Sequence, residues 1–367
     1  MKKNLAREAI IKLKAYKNVV DKELKLFFAR QLEECRDIDG TACAAISALE
    51  DFSLRGGKRI RAALIYYGFL CFSKEKPGKD LLRASMAMEL VQSFLLIHDD
   101  IIDRDELRRG EDTVHKIFEK IGEKKFSFGK NIREKEHFGR SAAILVGDVC
   151  VALANMALAE VKSENKTKAN YELNRVIRNT TFGQIIDLES SYREIIPEST
   201  IQETLKIYRL KTAAYTIEVP LRIGAILAGA TDREIDKIRH YAEPLGVAFN
   251  IQDDILGLFG KKEKFGKPIG SDLKEGKKTL ILLKALELAT KEDSAFIMKN
   301  LGARNMSEKT VDRIKEIMLK TGAYDYCVNY AKDLIMESKK IISRQIYHEK
   351  GKSFILGISD YLLEREC

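Results

Sequence analysis

Two acidic clusters about 150 residues apart, Asp99-Asp100-Ile101-Ile102-Asp103 and Asp253-Asp254, stand in otherwise apolar sequence. The first has no Gly or Pro and reads as helix, which stacks Asp99 and Asp103 one turn apart with Asp100 beside them. Like charges so placed repel, and each anion in an apolar setting is costly unless a cation pairs with it. A hard divalent ion fits: Mg²⁺ takes one or two carboxylates and completes its shell with water and substrate phosphate. The plainer reading of either cluster alone is a solvated acidic helix end.

Basic groups follow in an order that complements these acids. Gly56-Gly57-Lys58-Arg59-Ile60-Arg61 offers glycine for close backbone approach to an anion and Lys58 and Arg61 for charge, although such a turn also occurs without a ligand. Arg108-Arg109-Gly110 presents two planar forks suited to phosphate oxygens. Gln92 lies seven residues before Asp99, roughly 20° from the same helical face, where it is either a ligand group or a locally satisfied amide. Lys211-Thr212 falls between the acidic clusters, and Gly266-Lys267-Pro268 through Gly276-Lys277 forms a basic, glycine-rich loop after the second.

The elements that must position these groups are helices. Only 5 Pro and no Trp interrupt long Leu, Ala, Ile, Lys and Glu stretches in 367 residues, so the expected class is all-α, one large helical domain over residues 1–367. Helical patterns run from about Asp80 to Asp103, Ser141 to Lys162, Ala169 to Ser190, Thr200 to Ala230 and Asp232 to Leu258, with about three more beyond. Residues 119–140 are polar and glycine-containing and read as a surface loop or short-helix insertion. The net charge of +9 is spread without a nucleic-acid recognition pattern, which excludes that class of partner. Six cysteines without CxxC spacing fit free thiols in a reducing, cytoplasmic compartment. The N-terminus lacks a signal-peptide core, and Ala142 to Val161, broken by Asp148 and Asn155, reads as a core helix, so no transmembrane segment is expected.

Taken together, these motifs resemble the trans-type isoprenyl diphosphate synthases, the family of farnesyl and geranylgeranyl diphosphate synthases, from about Gly56 to Lys278, with an echo in Leu356 to Arg365. The resemblance implies a helical bundle around a central cavity, a homodimer, and Mg²⁺-assisted ionisation of an allylic diphosphate (dimethylallyl, geranyl or farnesyl) followed by addition to isopentenyl diphosphate. It implies three Mg²⁺, with Asp99, Asp103 and Asp253 as ligands and Asp100 beside them. It places Gly57, Lys58, Arg61 and Arg109 at the isopentenyl diphosphate, and Gln92 where the family has a further diphosphate-binding His or Gln. Arg108, Lys211 and Lys267 fall to the allylic diphosphate, Lys277 matches a second late lysine that binds substrate, and Thr212 and Asn250 sit beside the reacting carbons. The second motif departs from the family pattern twice: Asn250 stands where Gln is usual, and Gly257 replaces the third carboxylate.

Product length separates two arguments. Helical geometry selects Leu95 and Val91, roughly 40° and 80° from Asp99, as tunnel wall, with Phe94 roughly 140° away. The resemblance instead makes Phe94, five before the first aspartate, the residue that limits elongation, and a following Leu95 rather than a second aromatic favours C20 over C15. Two rivals stay open. A class I terpene cyclase shares the aspartate trigger but carries a different second metal motif, and a non-catalytic modulating subunit usually lacks the first motif, which is intact here.

Overall fold

The computed structural model describes residues 2–126, 128, 131–195, 197–260 and 269–364. Among these the architecture is helical apart from a two-stranded antiparallel ribbon, β1 (Leu107–Arg108) and β2 (Glu111–Asp112). The first half contains α1 (Lys2–Arg36), α2 (Gly40–Leu54), α3 (Ile60–Phe72), α4 (Lys79–Asp103), α5 (Val114–Lys125), α6 (Ile132–Ala159) and α7 (Lys166–Tyr192). The second contains α8 (Pro197–Ile207), a π-helical stretch Tyr208–Glu218, α9 (Val219–Leu227), α10 (Asp232–Phe259), α11 (Ser271–Glu275), α12 (Leu280–Leu288), α13 (Lys291–Asn300), α14 (Glu308–Lys320), α15 (Ala323–Ser343) and α16 (Glu349–Leu363). Five helices therefore follow α11 where about three were expected, because the extra chain breaks at Thr290 and Ser307, each of which caps the next helix with its side chain.

The core explains which helices can carry a site. α4 lies against α3 and α6, α3 against α9, α10 against the π-helical stretch and α15, and α1 against α16. Leu24, Leu64, Met86, Leu90, Val176, Leu245 and Phe354 are among the side chains this packing buries. Helix α10 starts on a capping box, Thr231 with Glu234, and so holds a fixed register down to its acidic end.

Within the stretch 119–140 most of the described residues are helical. Residues 119–125 finish α5 and 132–140 begin α6. The two helices meet so closely that a Cβ at Gly139 would lie 2.5 Å from the His115 carbonyl oxygen, and Glu119 is buried. Phe126, Phe128 and Phe138 cluster at the corner with ring centroids 5.4–5.9 Å apart. The short-helix alternative of the sequence reading describes these residues, whose charges lie on the outside of a helical corner at which the three phenylalanines meet.

By length and hydropathy α4 and α6 are each long and apolar enough to cross a membrane. In the fold α4 is largely buried, whereas α6 leaves Ile144, Leu145, Val149 and Met156 exposed.

Candidate active site

The first aspartate motif occupies the last turn of α4, which ends with Arg104 in the left-handed region at φ 60°. Asp100 is fully buried and faces Arg108, whose Nε donates to Asp100 Oδ1 at 2.8 Å while a terminal nitrogen bonds the same oxygen. Burial pushes the Asp100 carboxyl up to about 6 against the opposing pull of Arg108. Arg108 also approaches Asp99 at 3.8 Å and Asp105 at 3.5 Å, so its guanidinium neutralises the buried side of the motif. Asp100 thus positions Arg108, while Asp99 is half-buried and Asp103 is buried at the cavity wall.

The loop after α2 is shaped for close approach. Arg55 reaches the Asp112 carbonyl of β2, and Arg109, itself at φ 57°, donates to the Gly56 carbonyl at 2.9 Å. Gly57 has φ 96°, and a Cβ there would lie 3.0 Å from an Arg109 nitrogen, so this contact requires glycine. Arg59 anchors the loop from below, buried against Asp21 at 2.7 Å, Glu89 at 3.1 Å and the Ser53 carbonyl at 2.7 Å. Lys58 and Arg61 are thereby held apart from the core: Lys58 Nζ donates to the Tyr361 hydroxyl at 2.6 Å, and Arg61 lies 4.0 Å over the Tyr215 ring while donating to Thr216 at 2.8 Å. Burial and the neighbouring Arg59, Arg108 and Arg61 lower the Arg109 pKa. Such mutual repulsion among guanidinium groups is the electrostatic demand an anion satisfies.

Gln92 accepts a hydrogen bond from Tyr215, so its carbonyl oxygen is locally satisfied and its amide N–H groups are what it can offer a ligand. Lys211 and Thr212 sit in the π-helical stretch, an element common at functional sites because the extra residue per turn bulges side chains outward. Lys211 donates to Asp187 at 2.8 Å and lies 3.7 Å from Asp99. Burial opposes its charge, yet Asp187 and Asp99 hold its pKa above the usual lysine value. Gly183 makes this possible, since a Cβ there would lie 3.0 Å from the Lys211 backbone nitrogen. Thr212 donates to Asn250 Oδ1 at 2.5 Å, and Asn250 passes the chain on to Asp254 at 3.4 Å. Asp254 is also bonded by Tyr208, whose hydroxyl accepts from the Leu280 N–H at 2.9 Å. Asn250 therefore reaches the Lys-Thr pair in spite of its shorter side chain.

Asp253 is half-buried on α10, one residue before Asp254. The Gly257 carbonyl accepts from Gly270 N–H at 3.0 Å, so where the family has a third carboxylate the returning loop docks instead. Lys267 lies outside the described residues. Lys277 crosses the cavity from that loop to the first motif, with Nζ 2.8 Å from Asp103, 2.5 Å from Glu275 and 3.8 Å from Asp272. Asp103, Asp105 and Glu275 offer carboxylate oxygens within 4.8 Å of one another, a hard-oxygen set that suits Mg²⁺. Of the expected ligands only Asp103 belongs to this group.

A cavity of about 430 Å³ lined by Asp103, Gln184, Asp187, Glu275 and Lys277 adjoins a smaller one of about 120 Å³ lined by Asp187, Lys211, Thr212, Asn250, Asp254 and Lys277. Asp187 bridges both and escaped sequence reasoning, as did Tyr208, Tyr215, Asp272, Glu275 and Tyr361. Asp187 lies on α7, the stretch Gly183-Gln184-Ile185-Ile186-Asp187, where a polar residue at helical spacing from a glycine is its main local signal. Phe94 is buried edge-on to His98, ring centroids 4.9 Å apart, and His98 Nε2 bonds the Ile144 carbonyl of α6 at 3.1 Å. Leu95 is half-buried and Val91 fully buried.

This is a helical bundle in which carboxylates and cations converge on two adjoining cavities, a class of site suited to diphosphates. The sequence profile of the polyprenyl synthetase family matches residues 45–318. The chain is 33% identical over 307 residues to the geranylgeranyl diphosphate synthase of Sulfolobus acidocaldarius, covering 82% of this chain and 85% of that one. It is 31% identical over 357 residues to the short chain isoprenyl diphosphate synthase of Methanothermobacter thermautotrophicus, covering 96% and 98%. The crystal structure of a geranylgeranyl pyrophosphate synthase from Corynebacterium glutamicum, complexed with isoprenyl diphosphate and magnesium, is similar with a TM-score of 0.87 at 31% identity over 95% of this chain and 98% of that one. The chain belongs to the polyprenyl synthetase family.

Proposed function

We propose that this protein is a Mg²⁺-dependent trans-prenyltransferase that joins isopentenyl diphosphate to an allylic diphosphate, with geranylgeranyl diphosphate, C20, as its main product. One observation carries the reading: the fold holds two separate groups of cations, one on the loop that leads into α3 and one around the first aspartate motif. Lys58, Arg61 and Arg109 gather at the Gly57 loop, and Arg108, Lys211 and Lys277 gather around Asp99, Asp100 and Asp103. A terpene cyclase has no use for the first group, and a modulating subunit has no use for the second.

Asp99, Asp103 and Asp253 would hold Mg²⁺, three ions by family resemblance, with Asp105 and Glu275 close enough to assist. When bound, the metal neutralises charge on the departing diphosphate. Lys211 and Lys277 add fixed positive charge beside the same leaving group and need no reorganisation as it departs. Arg109 and Lys58 hold the second diphosphate so that its double bond meets the allylic carbon, and Thr212 and Asn250 border that point. Water must be kept from this point during the reaction, since it would capture the allylic cation as an alcohol. Phe94 with Leu95 supports a C20 limit over C15. The exposed apolar side chains of α6, together with Phe182 and Ile185 on α7, support a homodimer that covers them. Free Cys35, Cys43, Cys71, Cys150 and Cys327 support a cytoplasmic location.

The test is incorporation of labelled isopentenyl diphosphate with and without a chelator, in the wild type and in Asp99→Ala, Asp103→Ala and Asp253→Ala. Mg²⁺-restorable activity in the wild type and loss of several orders of magnitude in each variant is expected. Near wild-type turnover in Asp99→Ala or Asp103→Ala would overturn the assignment.

A further inference from the structure

Three consecutive residues in the last turn of α16 each bond a different element. Asp360, buried, pairs with Lys339 of α15. Tyr361 accepts a hydrogen bond from Lys58 Nζ at 2.6 Å, and the same ammonium lies 5.0 Å from the centre of its ring. The Leu362 carbonyl accepts from Gln252 Nε2 at 2.5 Å, one residue before Asp253 on α10. The flanking bonds to α15 and α10 fix the turn in rotation and depth, so the phenol between them is presented at a set place.

We propose that Tyr361 is a positioning residue for isopentenyl diphosphate, acting through Lys58; the inference rests on the reading of Lys58 as part of that site. Lys58 is exposed on a loop, and an unrestrained lysine loses much of its rotamer freedom when it is fixed on a ligand. Tyr361 removes part of that cost in advance. The phenol takes one of the three ammonium N–H groups and its ring accepts the charge from the side, which leaves two N–H groups for a diphosphate. Because the same turn is bonded to Gln252, the second diphosphate site and the second aspartate motif share one rigid support.

The experiment is steady-state kinetics, varying each substrate separately, on the full-length enzyme and its Tyr361→Phe, Tyr361→Ala, Lys58→Ala and Lys58→Ala/Tyr361→Ala variants, with melting curves for each. Tyr361→Ala should raise KM for isopentenyl diphosphate by about 5–10-fold and Tyr361→Phe, which keeps the ring, by about 2–3-fold. KM for the allylic substrate and kcat should stay within about twofold. Lys58→Ala should raise the same KM, and adding Tyr361→Ala to it should add less than about twofold. Additive effects in the double variant, equal rises in both KM values, or an unchanged KM in Tyr361→Ala beside a raised one in Lys58→Ala would overturn the proposal alone. An unchanged KM in Lys58→Ala would overturn the site reading and the proposal with it. If Tyr361→Ala fails to fold, Tyr361→Phe decides by the same comparison.

Discussion

Replacing Lys277 by Met keeps the length of its stem and removes its charge from a pocket of carboxylates. In the wild type the Lys277 side chain is half-buried, with its ammonium 2.8 Å from Asp103 and 2.5 Å from Glu275, and Asp272 at 3.8 Å. Burial opposes the charge, yet Asp103, Asp272, Asp99 and Glu275 hold its pKa well above the usual lysine value. At an effective dielectric of about 20, the 2.8 Å contact alone is a gross attraction of about 6 kcal/mol. Desolvation offsets much of that, and removing one member of such a cluster costs about 3–5 kcal/mol, chiefly because the carboxylates are left facing one another. For a chain of this size the melting temperature should fall by about 4–6 °C in chelator. Mg²⁺ can then occupy the same pocket with less competition. A metal at 100 times its Kd returns about 2.7 kcal/mol. Lys277→Met should therefore gain more from Mg²⁺ than the wild type does, in differential scanning fluorimetry with chelator or with millimolar Mg²⁺. A destabilisation that Mg²⁺ does not relieve, or a variant as stable as the wild type in chelator, would refute the idea that Lys277 and Mg²⁺ share one carboxylate pocket.

Phe94→Ala should extend products beyond C20 and Leu95→Phe should shorten them towards C15, read by chromatography of the dephosphorylated alcohols; unchanged product from a folded, active Phe94→Ala would shift the tunnel wall to Leu95 and Val91. The same Phe94→Ala change should cost about 3–5 kcal/mol if α6 cannot close over the space, measured by urea unfolding. Asn250→Ala deprives Thr212 of its acceptor and Asp254 of a donor, so a loss of about 1–3 kcal/mol in stability together with reduced kcat is expected; a stable variant with normal kcat would remove Asn250 from the site. Leu145→Glu, in the middle of the exposed apolar strip of α6, should convert a dimer to monomer in light scattering, and a wild type that is already monomeric would dismiss the dimer.

The sequence made the helix that bears Asp99 and Asp103 legible because its acids interrupt an apolar period, and Lys79–Asp103 coincides with the expected span almost to the residue. The loop from Gly56 to Arg61 was equally legible through its glycines, one of which is required by Arg109. What could not be read were partners created by tertiary packing. Asp187 shares its helix with Glu172 and Glu189, which pair with Arg175 and Arg193, and what sets it apart is the close approach of Gly183 to Lys211. Tyr208, Tyr215 and Tyr361 look like ordinary amphipathic helix residues until Asp254, Gln92 and Lys58 are brought to their hydroxyls. Asp100 illustrates the converse. Its place in the motif suggested chemistry at the cavity, but one residue along a helix is about 100° of rotation, and the side chain is spent on Arg108. The π-helical register around Lys211 left no compositional mark, since an inserted residue changes phase without changing residue types.

The most direct test of the central claim is the product formed when purified protein is given Mg²⁺, farnesyl diphosphate and isopentenyl diphosphate together, with farnesyl diphosphate and Mg²⁺ alone as the comparison. The account predicts geranylgeraniol after dephosphorylation of the complete mixture and no hydrocarbon from the allylic substrate alone. Cyclic or linear hydrocarbons formed without isopentenyl diphosphate, or no consumption of either substrate by folded protein, would contradict it.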